Sequence, residues 1–515
     1  MQSQIHIPAG ARRVLAALVA LLAAVALGRA VSALSAERAS AASGAREDEA
    51  AGAAPAARED EAAARGRDGR PNFVVVMTDD QDLRSLREMP IVRRGLANDG
   101  TSFRSAAATF PICAPGRATF LTGQYSHNNG VEDNGGPAGQ RNFDDTYSMP
   151  LALKRSGYRT GLVGKYINGY RRTVADEGLE GSVPPGWSSW EAIIEAGYFD
   201  WEINRDGRKR VKFGDSARDY ETDALGRLGE DFIDRSSGRK KDPFFLYLSV
   251  SSPHGESGQR RDDRNPRPAP RHRGIYDNAE LPKPPSFNEK DVSDKPRFLR
   301  VDRLKRKEQR SMLTRYRGRM ESLLSVDEMV GRLRSKLKRE NELKNTVFIF
   351  TSDNGFLLGE HRLEKKKVLY EESVQIPLVI SGPGFKRGKE IRSPVGNIDI
   401  APTILDAAGV DPLRPVDGIP LQRIAADPGA YKDREILYEN RRAGGENQLG
   451  HAIRTNRFVF IAQTADGERY TELYDLKKDP YQLENRSGDA ALADVETRLA
   501  TRLAALEDCA GASCR

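Results

Sequence analysis

Residues 71–81 read PNFVVVMTDDQ: five apolar side chains from Phe73 to Met77, then Thr78, Asp79 and Asp80. Two further runs share this form. FFLYLSV begins at Phe244 and runs toward Pro253 and His254, and VFIF spans 347–350 before Thr351, Ser352, Asp353, Asn354 and Gly355. Continuous rather than alternating apolar character marks strands buried on both faces, as in parallel sheets covered by helices. Between them, Thr146–Arg155 and Arg315–Arg339 carry apolar residues at three- and four-residue spacing and predict helices. Strand alternating with helix predicts an α/β sandwich, and ligands of such sheets gather at the carboxyl ends of the strands. Here those ends carry two aspartates, a histidine and an Asp-Asn pair.

The rest of the chain fits around this core. Its 515 residues, 38% hydrophobic and 30% charged, describe a globular protein with room for a large core or two domains. A net charge of +7, spread along the chain, supports no nucleic-acid partner. Arg12 and Arg13 precede the apolar run Val14–Leu27 and then small residues. This predicts a secretory signal within residues 1–36, by the general or the twin-arginine route, and an exported protein. The run is short for a membrane span and no cysteine follows it, so no stable membrane anchor is expected. Residues 37–70, rich in Ala, Glu, Asp and Arg, read as a disordered linker. A main domain is expected over 71–419, with a surface excursion at 256–310 holding sixteen Lys and Arg against ten Asp and Glu. That excursion reads as a solvated loop or as a docking surface for a polyanion. Over 420–515 the short runs EILYE, RFVFIA and TELYDL and a closing helix near Val495–Leu506 predict a smaller α+β domain.

Asp79, Asp80, Asp353 and Asn354 offer only oxygen ligands, the set that calcium or magnesium selects. The chain has three cysteines. Export permits a disulfide, and Cys509 and Cys514, neighbours in sequence, are expected to pair. Cys113, in FPICAPGRATF, is then left alone, four residues before Arg117. If a helix begins near Pro115, the thiol lies at a helix N-terminus, where anions are favoured. A cation, an arginine and a helix start make an oxyanion pocket, to which Lys165, His254 and a lysine of 365–367 could add charge and proton transfer.

These motifs, in this order from about Pro71 to Asn485, resemble the type I, formylglycine-dependent sulfatases of the alkaline phosphatase superfamily. CAPGR looks like the family signature C-x-P-S-R; NFVVVMTDDQ and FTSDNGFLLGEHR resemble its two metal-binding strands; SSPH and KVLYEESVQIPLVISGPG match further blocks. GKYINGY and FNEKDVSDKP look most like the glucosamine-6-sulfatase branch. The resemblance implies an alkaline-phosphatase-like α/β/α sandwich with a large mixed sheet and a small antiparallel C-terminal sheet. It implies that a formylglycine-generating enzyme oxidises Cys113 to formylglycine (3-oxoalanine), hydrated to a diol that attacks sulfur. Asp79, Asp80, Asp353 and Asn354, together with the residue at Cys113, would hold one divalent cation, most often calcium, with magnesium the alternative. Arg117 would stabilise the ionised diol, while Lys165, His254 and Lys366 would bind the sulfate and assist the leaving oxygen. Lys366 is preferred over Lys367 because the family places its lysine four residues before a Tyr-Glu pair, here Tyr370-Glu371. Two positions depart from the pattern. Gly116 replaces the signature's usual serine, and Ile167 stands where many arylsulfatases carry a histidine, while Asn168 matches the glucosamine-6-sulfatase type and would contact substrate. The implied activity is hydrolysis of a carbohydrate sulfate ester. Phosphonate monoester or phosphodiester hydrolysis, and an inactive polyanion-binding protein, are the other readings.

Overall fold

A computed structural model of the chain describes residues 69–238, 242–256, 265–441 and 449–515. The expected signal at 1–36, residues 37–68 of the linker expected at 37–70, and positions 257–264 of the excursion lie outside the described residues. Among the described residues no helix is long and apolar enough to cross a membrane.

Ten strands form the main sheet. In chain order they are β1 (Asn72–Thr78), β2 (Gly100–Phe103), β3 (Arg159–Gly164), β4 (Ser189–Glu195), β5 (Glu202–Arg205) and β6 (Lys209–Lys212). They continue with β7 (Phe244–Ser249), β8 (Thr346–Ser352), β9 (Leu378–Ser381) and β10 (Lys389–Ile391). Across the sheet the order is β10-β2-β9-β8-β1-β7-β3-β4-β5-β6. The central strands β8, β1, β7, β3 and β4 run parallel. The β9 strand is antiparallel to both β8 and β2, and β5 and β6 extend the other edge as antiparallel strands. The sheet is therefore mixed.

The unbroken apolar runs now have a physical reason. Phe73, Val75, Met77, Phe245, Tyr247, Val347 and Ile349 pack on one face with helices α1 (Cys113–Thr122), α2 (Met149–Arg155) and α5 (Ile400–Ala408). Val74, Val76, Leu246, Leu248, Phe348 and Phe350 pack on the other with α3 (Glu221–Ser236) and α4 (Arg306–Arg339). Alternate side chains thus enter different cores, and neither face of these strands meets water.

Three helix boundaries differ from expectation. Helix α1 starts at Cys113 rather than near Pro115. Helix α2 starts at Met149 rather than Thr146, because Asp145–Tyr147 form a 3-10 turn in which Asp144 accepts from Thr146 N. Helix α4 starts at Arg306 rather than Arg315. It begins early because Glu308 accepts from the Lys305 N–H at its start and because buried Met312 and Tyr316 extend the stripe of Met320, Leu323, Val326, Val330, Leu333 and Leu337.

The C-terminal sheet is an antiparallel meander of β11 (Ile436–Arg441), β12 (Leu449–Arg454), β13 (Phe458–Ala465) and β14 (Glu468–Asp475). Helix α6 (Ala493–Glu507) covers one face through Leu499, Leu503 and Leu506. The other face packs on Leu369, Tyr370 and Val374. Leu421, Ile424 and Ala425 belong to the core of the large sheet, so the small sheet's own structure starts at Ile436. Cys509 and Cys514 are joined by a disulfide.

The described part of the excursion is not simply solvated. Lys295 and His272 are buried. Glu289 Oε2 pairs with His361 Nδ1 at 2.7 Å, and Arg362 donates to the carbonyls of Glu289, Lys290 and Val301. The excursion therefore braces the loop that leads to Lys366.

Candidate active site

Strands β8, β1, β7 and β3 are neighbours and parallel, so the segments following them emerge at one edge of the sheet. Asp79 and Asp80 follow β1, Asp353 and Asn354 follow β8, His254 lies past β7, and Lys165 directly follows β3. Asp80 turns the chain in a left-handed conformation, φ +67°, which aspartate tolerates better than most residues. Cys113 opens helix α1 against this edge, in the electropositive first turn.

The side chains converge. Cys113 Sγ lies 3.3 Å from Asp79 Oδ1 and 3.9 Å from Asp80 Oδ1, and Lys366 Nζ donates to it at 2.8 Å. Lys165 pairs with Asp79 and Lys366 with Asp80. Asn354 Nδ2 donates to Asp80 Oδ1 at 2.8 Å, and Asp80 N donates to Asp353 Oδ1 at 3.0 Å. Arg117, fully buried, donates from Nε to Asp353 Oδ2 at 2.9 Å and from Nη1 to Ser249 Oγ and Tyr247 OH. Its Nη2 is 2.9 Å from Asp353 Oδ2 but has no acceptor in hydrogen-bond geometry. His254 Nε2 stands 3.7 Å from Asp80 Oδ2, while its Nδ1 donates to Gly255 O at 2.6 Å, which leaves Nε2 to face the site.

Of the three consecutive lysines, Lys366 enters the cluster and Lys367 points out to Asp133, 3.4 Å away. Lys365 and Lys367 both have positive φ, 82° and 78°, so the backbone turns sharply on either side of Lys366. Asn168 lies beside the cluster. It lines a cavity of about 120 Å³ with Asp79, Lys165, Tyr198, Ser251 and His254. The Asn168 Oδ1 and Ser251 Oγ atoms are buried there without a protein partner.

Charge sets the protonation states. Burial would push Asp79 up, but Lys165, His254, Arg117 and Lys366 outweigh it and hold the carboxyl well below the usual range. Asp353 goes the other way: burial and the Asp79 charge raise it against the pull of Arg117. Burial, reinforced by Asp79, pushes the Cys113 thiol far up. An unmodified Cys113 is therefore a neutral thiol and a weak nucleophile.

Asp79, Asp80, Cys113 and Asp353 each present a ligand atom, all within 4.8 Å of one another. The buried cluster can hold a metal ion.

Residues that pattern reasoning missed complete the frame. Tyr247 and Ser249 read as members of an apolar strand, yet their hydroxyls hold Arg117. The one signal was their polarity at alternate positions of an otherwise apolar run. Arg319 of α4 donates from Nη2 to Asp80 O at 2.6 Å, and Asn134 Oδ1 accepts from Ala114 N at 2.9 Å. No local pattern marks either one.

The family described as Sulfatase matches residues 71–410, and one described as N-sulphoglucosamine sulphohydrolase, C-terminal, matches 359–509. The chain is 30% identical over 493 residues to an N-acetylglucosamine-6-sulfatase of Capra hircus, covering 87% of this chain and 85% of that protein. It is 35% identical over 363 residues to an extracellular sulfatase SULF-1 homolog of Drosophila melanogaster, 68% of this chain but 31% of that protein. A solved structure of a protein in complex with its substrate D-glucosamine-2-N,6-O-disulfate superposes with a TM-score of 0.68 at 26% identity, covering 84% of this chain and 97% of the other. Sequence and fold agree over most of the chain, which belongs to the sulfatase family and is a sulfuric ester hydrolase.

Proposed function

We propose that the protein is a secreted sulfatase that hydrolyses a glucosamine-6-sulfate-like ester, with Cys113 converted to formylglycine by a formylglycine-generating enzyme and a calcium ion held by Asp79, Asp80, Asp353 and Asn354. The observation that carries this reading is the burial of the Cys113 side chain at a helix start, within reach of Asp79, Asp80 and Lys366. The net reaction is R–O–SO₃⁻ + H₂O → R–OH + HSO₄⁻, with the S–O bond broken.

The cluster pairs three carboxylates (Asp79, Asp80, Asp353) with three cations (Arg117, Lys165, Lys366), so it has little excess positive charge for an anion. A divalent cation held by Asp79, Asp80, Asp353 and Asn354 would supply that excess and would acidify a nucleophile oxygen. Lys165 and Lys366, which pair with Asp79 and Asp80, are the cations placed to hold sulfate oxygens. Arg117, fixed by Asp353, Ser249 and Tyr247, keeps its guanidinium beside the residue at position 113 and costs no reorganisation during reaction. His254, with Nδ1 committed to Gly255 O, delivers a proton from Nε2 to the leaving alcohol oxygen. The uncommitted Asn168 Oδ1 and Ser251 Oγ suit a leaving group rich in hydroxyls.

The two glucosamine-directed relatives support the substrate class, and the signal-like N-terminus and the extracellular relative support secretion. The test is to assay N-acetylglucosamine-6-sulfate against an aryl sulfate and an aryl phosphodiester with the same leaving group. The sugar sulfate should give the highest kcat/KM; a preference for the phosphodiester would reject the assignment.

A further inference from the structure

Gly116 interrupts the family signature where serine is usual, and the structure gives a reason. A Cβ placed on Gly116 would lie 2.4 Å from the main-chain carbonyl oxygen of Asp353, far inside van der Waals contact. The backbone at Gly116 is not in the left-handed region, so its conformation does not require glycine. What glycine permits is the close approach of α1 to the strand end that carries Asp353 and Asn354.

The helix cannot simply back away. On another side Gly116 O accepts from Asn397 Nδ2 at 3.0 Å, and Asn397 Oδ1 accepts from Thr109 N at 3.0 Å and Thr109 Oγ1 at 3.2 Å. Asn397 is 1% exposed, so no water replaces these bonds if they break. The first turn of α1 is thus clamped between the Asp353 carbonyl and Asn397. On that turn ride Cys113, 3.3 Å from Asp79, and Arg117, 2.9 Å from Asp353.

We propose that Gly116 is a positioning residue of this sulfatase: its missing side chain lets α1 close on the Asp353 carbonyl and so sets the reach of Cys113 and Arg117 to the carboxylate cluster. Restoring the family's usual serine therefore damages this enzyme. Relieving the contact needs a shift of about 1 Å, and a displacement of that size at an active site costs on the order of 100-fold in rate.

The inference rests on the calcium-site reading above, and its test separates the two. Gly116→Ala and Gly116→Ser are made in the full chain. The mass of the tryptic peptide 105–117 gives the converted fraction; Ca²⁺ affinity is measured by calorimetry after chelator treatment, and kcat and KM well below the melting temperature. Both variants should bind Ca²⁺ at least tenfold more weakly and lose about 10- to 100-fold in kcat per converted enzyme. KM should stay within about threefold, because the sulfate-binding lysines are not on α1. Equal effects of Ala and Ser identify the Cβ, not the hydroxyl, as the cause. A serine variant within twofold of wild type in both Ca²⁺ affinity and kcat per converted enzyme overturns the proposal. Should the Gly116 variants not fold, Asn397→Ser releases the other side of the clamp without adding an atom at Gly116. It should show the same paired loss of Ca²⁺ affinity and kcat, and wild-type behaviour in both overturns the proposal equally. A wild-type protein that binds no Ca²⁺ overturns the calcium reading itself.

Discussion

Replacing Arg117 with methionine keeps much of the side-chain volume and removes the charge at the centre of the cluster. Arg117 is fully buried, contacts Asp353 through Nε and Nη2 at 2.9 Å, and lies 3.7 Å from Asp79 through Nη2. Its loss leaves two carboxylates short of a countercharge and two hydroxyls, of Tyr247 and Ser249, short of a donor. Breaking a buried ion pair by removing one partner costs about 3–5 kcal/mol. A cation on Asp353 would replace part of the missing charge, so the loss should be near the top of that range in chelator and smaller by at least about 1 kcal/mol in saturating Ca²⁺. Urea unfolding of wild type and Arg117→Met, each with EDTA and with Ca²⁺, reads both numbers. Equal destabilisation in the two conditions would show that Arg117 and the cation do not share Asp353. A loss under about 1 kcal/mol in EDTA would show that Arg117 does not neutralise the buried carboxylates.

Three further predictions follow from the same geometry. Cys113→Ala should abolish turnover of any sulfate ester while the far-ultraviolet circular dichroism spectrum stays that of wild type; near-normal activity would refute the nucleophile assignment. His254→Ala should lower kcat/KM on a sugar sulfate by about 100-fold or more, but by far less on a nitrophenyl sulfate, whose leaving group needs no proton; equal losses would remove His254 from the role of acid. Half-buried His127 pairs with Glu439 and the Cys509 carbonyl, and buried His361 with Glu289 and Glu372. Burial pulls both imidazoles down, but these acceptors win and raise each to about 9. Because the folded values exceed the unfolded one, their contribution is complete below about pH 6.5 and is lost as pH rises through 9. The urea midpoint should therefore fall between pH 6.5 and 9.5, and the fall should be shallower in His127→Gln; an unchanged slope in that variant would contradict the linkage.

The layered architecture was legible because strands covered on both faces must be apolar at every position, and FVVVM, FFLYL and VFIF are. The gathering of Asp79, Asp80, Asp353, Asn354 and His254 at one edge followed from that pattern, since parallel strands end together. The boundaries were less legible. Helix α4 looked shorter because its first turns carry the basic residues Arg306, Lys307 and Arg310, and only long-range burial of Met312 and Tyr316 gives them an apolar side. The frame around Arg117 left only a faint trace, the polarity of Tyr247 and Ser249 in an otherwise apolar run. Tyr247 and Ser249 meet it across 130 and 132 residues of chain, and Asn397 meets Gly116 across 281. Contacts at that range leave no period in the local sequence. Gly116 itself read as an imperfection in a motif, and only the position of the Asp353 carbonyl gives it a reason.

Under the proposed function, position 113 is not a cysteine in the working enzyme, and the mass of the tryptic peptide SAAATFPICAPGR, residues 105–117, from protein made in its native host tests this directly. The peptide should be lighter by the thiol-to-aldehyde difference, in a fraction of molecules that matches the active fraction. A fully active preparation in which the peptide carries only the unmodified thiol would contradict it.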